Sequence, residues 1–340
     1  MLTDDWQLTD DVDDFLAQAG DFLRSRPVLH NMSLTAIERL RTRGAVVHNA
    51  EPAVFGSLES RGEVRAVFHR TPRGYLWVTP LSAEQVGTLA AHLADLGHFP
   101  SGVLADDDTA AAFADTWQRH TDAVPAPFWR AHLYRLGALT PPQPHAEGRG
   151  RVTVEGDREQ VVCWCREFCV DVGEQPSIDL IDAGSWADSR FGDRHFTFWE
   201  TPDGTPVSMA AATSIVGGMI RVDPVYTPAH FRGCGYAGAV TAEVSRAALA
   251  AGATEVVLFA DPANPTSNAL YQRIGYVHVA DFTGYEFSYS APEAKMGDIG
   301  RHVRQRRSCS HSTSRTASSS IAAPDDSSSG AAAERLGSAR

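Results

Sequence analysis

A predicted strand, a glycine-rich loop and a predicted helix follow one another around residue 230. The loop reads Arg232-Gly-Cys-Gly-Tyr-Ala-Gly238, and its glycines can adopt backbone angles that are strained for other residues. Successive backbone amides and the N-terminus of the following helix favour an anion there, and Arg232 adds a fixed positive charge. The loop therefore predicts a pyrophosphate site. The alternative is a tight turn whose glycines serve only packing.

The same glycines match the dinucleotide fingerprint G-x-G-x-x-G, which would indicate an NAD-dependent oxidoreductase. In that fold the buried strand runs almost directly into the first glycine. Here Pro224 and Pro228 interrupt the approach, and residues 228–232 separate the strand from Gly233. The fingerprint would also follow three consecutive strands in hairpin order, so the dinucleotide interpretation remains a remote alternative.

A second polar stretch follows the next predicted strand, so the two stretches should lie side by side on the sheet. It reads Asn264-Pro-Thr-Ser-Asn268 and continues as Leu270-Tyr-Gln-Arg-Ile-Gly-Tyr276. With Val225-Tyr-Thr-Pro228 and the glycine loop, it resembles the GNAT superfamily of acyltransferases. The motifs match over about 207–287, and the fold-level resemblance extends over about 151–289. The resemblance implies transfer of an acyl group, most often from acetyl-CoA, to an amine without a metal.

The resemblance also implies roles for individual residues. Backbone groups on the fourth strand of the domain, at Val225, Tyr226 and Thr227, would hold the pantetheine arm, and Asn264 would lie near the cofactor. Tyr271 would protonate the departing thiolate; its alternative is a core aromatic residue. His230 departs from the glutamine or arginine usual at the start of the family's loop. The pyrophosphate loop would comprise Arg232, Gly233, Cys234, Gly235, Tyr236, Ala237 and Gly238.

The base is less clearly specified by the sequence. An amine must be neutral to attack a thioester, so a base or a chain of waters should take its proton. Asp223 lies near the reacting end of the fourth strand, and Glu200 ends an earlier strand. We predict Asp223 as the better candidate; for both, the alternative is an ordinary surface carboxylate.

Both halves of the chain show the same order of predicted elements: two helices, three strands, then helix, strand, helix and strand. The predicted fold is α+β, a tandem GNAT-like fold with a mixed, mostly antiparallel sheet flanked by helices. The second half includes a helix over about 178–191 and two closing strands at 277–280 and 285–289. We predict a degenerate domain without a phosphate loop at 1–146, an acetyltransferase domain at 147–290 and a disordered tail at 291–340.

Composition narrows the function further. The 340 residues carry a formal net charge of −12, which argues against sequence-independent nucleic-acid binding. No stretch is apolar enough to cross a membrane, and the five cysteines form no secreted disulfide framework, so we expect a cytoplasmic protein. Cys163, Cys165 and Cys169 lack standard zinc spacing and predict buried packing. An acyl-CoA-binding sensor without turnover is the main alternative to an enzyme.

Overall fold

The computed structural model describes residues 5–43, 53–70 and 74–289, in which two successive segments share one order of elements. The first segment comprises β1 (Asp5–Thr9), α1 (Val12–Ser25), α2 (Asn31–Arg43), β2 (Val54–Ser60), β3 (Glu63–Arg70), β4 (Tyr75–Val78), α3 (Ala83–Asp95), β5 (Gly102–Asp106), α4 (Asp107–Thr121) and β6 (Val124–Leu136). The second comprises β7 (Arg149–Val152), α5 (Arg158–Val172), α6 (Gln175–Asp182), β8 (His195–Glu200), β9 (Pro206–Ala212), β10 (Met219–Tyr226), α7 (Tyr236–Ala250), β11 (Glu255–Ala260), α8 (Pro265–Arg273) and β12 (Tyr276–Ser288). The predicted duplication of architecture is confirmed, with one additional strand, β1, that the sequence did not predict. The predicted tail lies outside the described residues.

The strands form one sheet in the order β1-β2-β3-β4-β5-β12-β6-β11-β10-β9-β8-β7. Only the pairs β4–β5 and β10–β11 are parallel, so the mixed, mostly antiparallel sheet is confirmed. At the centre the two segments exchange their last strands. β12 pairs with β5 of the first segment, and β6 pairs with β11 of the second. Each segment therefore completes the sheet of the other.

Alternation along the strands places helices on both faces of the sheet. In β3, Ala66 and Phe68 pack in the core under α3 and α4, whereas Val67 packs in the core under α1 and α2. In β9, Ala210 packs with α7, and Met209 packs with α5 and α6. Apolar side chains on both faces explain why these strands are nearly continuous hydrophobic runs. No helix in the described part of the chain is both long and apolar enough to span a bilayer.

A gap opens in the sheet between β10 and β11. The two strands pair only from Met219 to Arg221, opposite Glu255 to Val257. Beyond Arg221, β10 pairs with β9 alone, and its register shifts between Val222 and Val225. The backbone edge of β10 beyond Arg221 is therefore free to bind a ligand, next to the N-terminus of α7.

Two sequence predictions of local structure are wrong. The helix predicted over 178–191 ends at Asp182, because Gly184 takes a left-handed backbone conformation with φ of 77°. The two closing strands predicted at 277–280 and 285–289 are the single strand β12, which pairs along its whole length with β6.

Candidate active site

One cavity of about 2890 Å³ gathers the predicted site residues. Its walls come from α2 and the aromatic residues Trp77 and Trp129 of the first segment, and from β10, α6 and the loop before α7 of the second. The residues that the sequence assigned to catalysis and cofactor binding all line it: Asp223, Val225, Tyr226, Thr227, Arg232, Gly233, Cys234, Gly235, Tyr236, Ala237, Gly238, Asn264 and Tyr271. The secondary candidate for the base, Glu200, is not among the lining residues and pairs with Arg151 at 2.5 Å.

The loop before α7 presents a row of free backbone amides. Gly233 and Gly235 both have φ of 82°, which only glycine adopts without strain. Gly235 is the N-cap of α7, and no side chain caps the helix. Among the described residues, no protein acceptor pairs with the amides from Gly233 to Gly238, whereas the Ala239 amide donates to Gly235 O at 3.1 Å. Unpaired amides at the positive end of a 15-residue helix form a site for an anion.

Arg232 stands at the rim of this loop. Its Nε donates to Thr227 O at 2.9 Å, and its Nη2 donates to Asp171 at 2.5 Å. About half of its side chain is exposed, so solvent screens its charge. Arg232 therefore holds the loop against β10 and contributes less to anion binding than the amides do.

The side chains at the end of β10 differ in how far they contact the core. Thr227, just after β10, shares a 2.8 Å hydrogen bond with Ser208 across to β9. The Tyr226 hydroxyl donates to Glu167 of α5 at 2.8 Å, and its ring is in the core under α5 and α6. Tyr226 and Thr227 line the cavity, but these hydrogen bonds hold their side chains, whereas no side chain of the described chain forms a hydrogen bond with Val225.

Asn264 and Tyr271 occupy the two ends of α8. Asn264 is the N-cap, and its side chain accepts a hydrogen bond from the Ser267 amide at 3.1 Å. Tyr271 is 8% exposed and packs beside the rings of Tyr134 and Tyr276. Burial, and then the negative charge of Asp223, raise the pKa of Tyr271 above its ordinary value. Its hydroxyl therefore keeps its proton at neutral pH, as a proton donor must.

Asp223 is held by two guanidinium groups. Arg190 Nη2 and Arg194 Nη2 each donate to one of its carboxylate oxygens at 3.1 Å. Burial raises the pKa of Asp223, but the charges of Arg190, Arg194 and Arg221 outweigh burial and hold it at about 2. A carboxylate with so low a pKa is a weak base, so the structure does not favour the general-base role that the sequence predicted for Asp223.

The sequence prediction missed Arg190, Arg194 and Arg221. Arg190 and Arg194 lie between α6 and β8; the helix predicted over 178–191 included Arg190 but not Arg194. Arg221 and Asp223 did carry a signal, because charged residues alternate there within an otherwise apolar strand. Such an alternation on a buried strand indicates an internal ion cluster.

The first segment reaches directly into this part of the cavity. Arg39 of α2 donates to the carbonyl oxygens of Asp188 and Ser189 at 2.9 Å. Arg221 Nη1 donates to Thr35 Oγ1 at 2.9 Å and to Asn31 Oδ1 at 3.1 Å, both on α2. Helix α2 therefore forms the wall of the cavity beside Arg221.

One group of side chains in the described chain could hold a metal ion, although the sequence suggested none. His132, His278 and Asp281 place their ligand atoms within 4.8 Å of one another on the exchanged strands. Asp281 Oδ1 lies 2.5 Å from His132 Nδ1 and 2.6 Å from His278 Nε2, so hydrogen bonds already occupy this oxygen. None of the three lines the cavity.

The helical cysteines behave as the sequence suggested, except that Cys163 is exposed. Cys165 and Cys169 are buried in the core under α5 and α6. Burial raises the pKa of Cys165 and of Cys169, the latter to about 12, so neither is a reactive thiolate at neutral pH.

Comparisons with known proteins agree with this geometry. The model of the acetyltransferase (GNAT) family matches residues 161–276. A solved Drosophila protein shares 14% identity and a TM-score of 0.53, over 84% of this chain and 99% of that chain. A GCN5-related N-acetyltransferase from Kribbella flavida shares 19% identity over 74% of this chain and 95% of that chain, with a TM-score of 0.42. A tandem GNAT protein from the clavulanic acid biosynthesis pathway shares 12% identity over 85% and 99%, with a TM-score of 0.48.

A search of curated proteins finds no match. At 14% identity and a TM-score of 0.53, the Drosophila protein shows similarity of fold alone. The matched family domain contains the glycine loop, β10, β11 and α8, and the preceding segment repeats the same order of elements. Residues 161–276 therefore form a domain of the GNAT acetyltransferase family.

Proposed function

We propose that the chain is an acyl-CoA-dependent N-acyltransferase that transfers acetyl from acetyl-CoA to a primary amine by direct attack. The observation that carries the proposal is the row of unpaired amides from Gly233 to Gly238, beside the gap between β10 and β11. In this proposal the domain at 147–290 binds the donor, and the domain at 1–146 closes the acceptor end of the cavity. We assign no role to the tail at 291–340.

The donor would lie along the second segment. Its pyrophosphate would bind the amides at the start of α7, and its pantetheine arm would pair with the free backbone edge of β10 near Val225. The thioester would then lie between β10 and Tyr271. A strand amide near Val225 would stabilise the negative charge that develops on the carbonyl oxygen.

Transfer would proceed without a covalent intermediate on the protein. The neutral amine attacks the thioester carbon, the C–S bond breaks, and Tyr271 gives its proton to the departing thiolate. Since Asp223 is ionised and weakly basic, we assign removal of the amine proton to water, with Asp223 and its arginines orienting the acceptor. Holding donor and acceptor together offsets much of the entropy that a bimolecular attack would lose.

One observation favours the alternative of CoA binding without turnover. The carboxylate that the sequence favoured as the base, Asp223, is a weak base. A sensor would need the glycine loop but no proton acceptor. Release of CoA with a supplied amine distinguishes the two functions.

Thermal unfolding of the full chain with acetyl-CoA, CoA or NAD tests donor binding. A ligand at about a hundredfold excess over its Kd should stabilise the folded state by about 2.7 kcal/mol. We expect the unfolding midpoint to rise with acetyl-CoA and CoA and not with NAD. Gly235→Glu should abolish the shift, because a side chain at φ of 82° strains the loop and its carboxylate repels phosphate.

Gly252→Glu is the matched control. Gly252 follows the other end of α7 and also has a positive φ, 94°, with open space around its Cα. The variant adds the same strain and charge but should keep the shift with acetyl-CoA. No shift with CoA for a folded wild-type chain would refute the donor site, and a shift with NAD alone would support the dinucleotide alternative.

A further inference from the structure

Arg221 is a buried cation whose hydrogen-bond partners are all neutral. It is 5% exposed and lines the cavity from the last paired position of β10. Its Nη1 donates to Asn31 O, Asn31 Oδ1 and Thr35 Oγ1. Within the described ranges, no carboxylate lies within salt-bridge distance of its guanidinium.

The neighbouring carboxylates act on this charge only from beyond salt-bridge distance. Asp223 gives both of its oxygens to Arg190 and Arg194. Those two arginines each have a second carboxylate, Glu174 for Arg190 at 2.7 Å and Asp193 for Arg194 at 3.3 Å. Three carboxylates are thus committed to two of the arginines, which leaves Arg221 without its own counter-ion.

A buried, unpaired charge is costly, so a fold normally neutralises it or pairs it. Burial lowers the pKa of Arg221 to about 9; the charges of Arg194 and Arg190 act in the same direction, whereas those of Asp223 and Asp193 raise it. The guanidinium is therefore still protonated at neutral pH. An anion bound from the cavity would supply the missing partner and relieve the cost.

We propose that this end of the cavity binds the carboxylate of the acceptor, so that the acceptor is a small molecule with both an amine and a carboxylate. The inference rests on the proposed acyltransferase function and names its substrate class. Arg221 has no directly bound carboxylate in the described chain, and its planar guanidinium fork matches the two oxygens of a carboxylate.

The spacing favours a short acceptor. Arg221 and Asp223 are two residues apart on one strand, a distance of roughly 7 Å, and the charge of Asp223 acts on Tyr271. The carboxylate site therefore lies close to the proposed reaction centre. Asn31 and Thr35 of α2 contact Arg221 directly, so α2 forms the wall of the cavity at this site.

Matched acceptor pairs test the proposal in the full-length protein. CoA release is measured with free amino acids and with their carboxamides, and rates are expressed per neutral amine because amidation changes the amine pKa. A charged hydrogen bond of ordinary strength predicts that kcat/KM is roughly ten- to hundredfold higher for the acid. Equal rates for acid and carboxamide would overturn the proposal.

Variants test whether Arg221 is responsible for the preference for the acid over the carboxamide. Arg221→Gln should lower kcat/KM for the acid to the level of the carboxamide and leave the carboxamide rate nearly unchanged. Arg130→Gln removes a positive charge from an exposed arginine on the same cavity and should preserve the preference. An equal loss for both acceptors in Arg221→Gln would mean that Arg221 serves only the fold.

A binding measurement keeps the test valid if Arg221→Gln fails to fold. Calorimetric titration of the wild-type chain with propionate and propionamide, in the presence of CoA, needs no turnover. Binding of propionate alone supports the subsite even if no amine is acetylated, in which case the proposed function fails and the subsite stands. Turnover of neutral amines without propionate binding would have the opposite meaning: the proposed function would stand and the subsite would fail.

Discussion

The two segments begin their third helix in opposite ways. Helix α3 starts at Ser82, whose hydroxyl accepts the Gln85 amide, while the Gln85 side chain accepts the Ser82 amide at 2.9 Å. Helix α7 starts at Gly235, which has no side chain to accept a hydrogen bond. The same architecture thus closes one helix terminus with its own side chains and leaves the other open to a ligand.

The contrast shows how two segments with the same order of elements can differ in the groups that they leave open to a ligand. In the first segment the helix terminus is saturated, and the cavity receives side chains of α2 instead. In the second segment the helix terminus and the edge of β10 remain unsaturated, as the proposed binding of a pyrophosphate and a pantetheine arm requires. The exchange of β6 and β12 joins the two segments in a single sheet, so the proposed donor and acceptor walls belong to one sheet.

The contrast extends to the aromatic residues of the following helix. Phe113 and Trp117 of α4 are fully buried in the core, whereas Tyr271 of α8 reaches the cavity. If Tyr271 is the proton donor, Tyr271→Phe should lower kcat by roughly a hundredfold or more, with little change in the KM for acetyl-CoA. Steady-state release of CoA measures both constants.

Tyr276→Phe is the matched control for this variant. The Tyr276 hydroxyl is buried against Ser245 Oγ at 2.7 Å and does not line the cavity. We expect this variant to unfold more easily and to keep the wild-type kcat. Similar losses of kcat in the two tyrosine variants would make Tyr271 a packing residue like Phe113.

Local patterns predicted most of the fold, but not its pairing. Helical and alternating periods located the helices and strands of both segments. β12 looked like two strands because Asp281 and Gly284 interrupt its apolar pattern; in the sheet, Asp281 lies beside His132, and a Cβ at Gly284 would collide with Phe128. A strand's own sequence does not specify its partner, so the exchange of β6 and β12 was not predictable.

In the candidate site, too, the part formed by one continuous stretch of sequence was predictable, and the part formed by tertiary packing was not. The proposed donor loop is continuous in sequence. Its paired glycines indicate backbone angles that other residues adopt only with strain, so the loop could be predicted from the sequence. The proposed acceptor end is built from residues that tertiary packing brings together from three separate parts of the chain: Asn31, Thr35, Arg190, Arg194 and Arg221. Only the alternation of Arg221 and Asp223 on a buried strand was a local signal for it.

The walls of the cavity also differ in how they bury ionisable groups. The second segment pairs Asp223 with arginines, whereas His69 on β3 is fully buried and neither ring nitrogen has a partner in the described chain. Burial lowers the pKa of His69 to about 4. Between about pH 6.5 and pH 4, His69 is therefore protonated in the unfolded chain but neutral in the folded chain. The free energy of unfolding should fall as the pH drops through this range.

The expected loss from His69 is about 3 kcal/mol of unfolding free energy by pH 4. Urea denaturation at several pH values measures it, and His69→Leu should flatten the profile. Burial also lowers the pKa of His30, so the wild-type profile contains a contribution of the same sign, and only the difference between the two proteins reports His69. His92→Gln, on the surface helix α3, should leave the slope intact; an unaltered slope in His69→Leu would contradict the assignment.

The variant with the smallest expected effect tests the contrast between the N-termini of α3 and α7 most directly. Ser82→Ala removes the hydroxyl that caps α3 and should cost about 1 kcal/mol of unfolding free energy. Because the proposed donor site does not include the helix terminus of the first segment, the affinity for acetyl-CoA should be unchanged, whereas Gly235→Glu changes that affinity through the terminus of α7. Urea denaturation and titration with acetyl-CoA measure the two quantities on the same protein. A weakened affinity for acetyl-CoA in Ser82→Ala would mean that both helix termini contribute to donor binding, and the division between a saturated and an open terminus would fail.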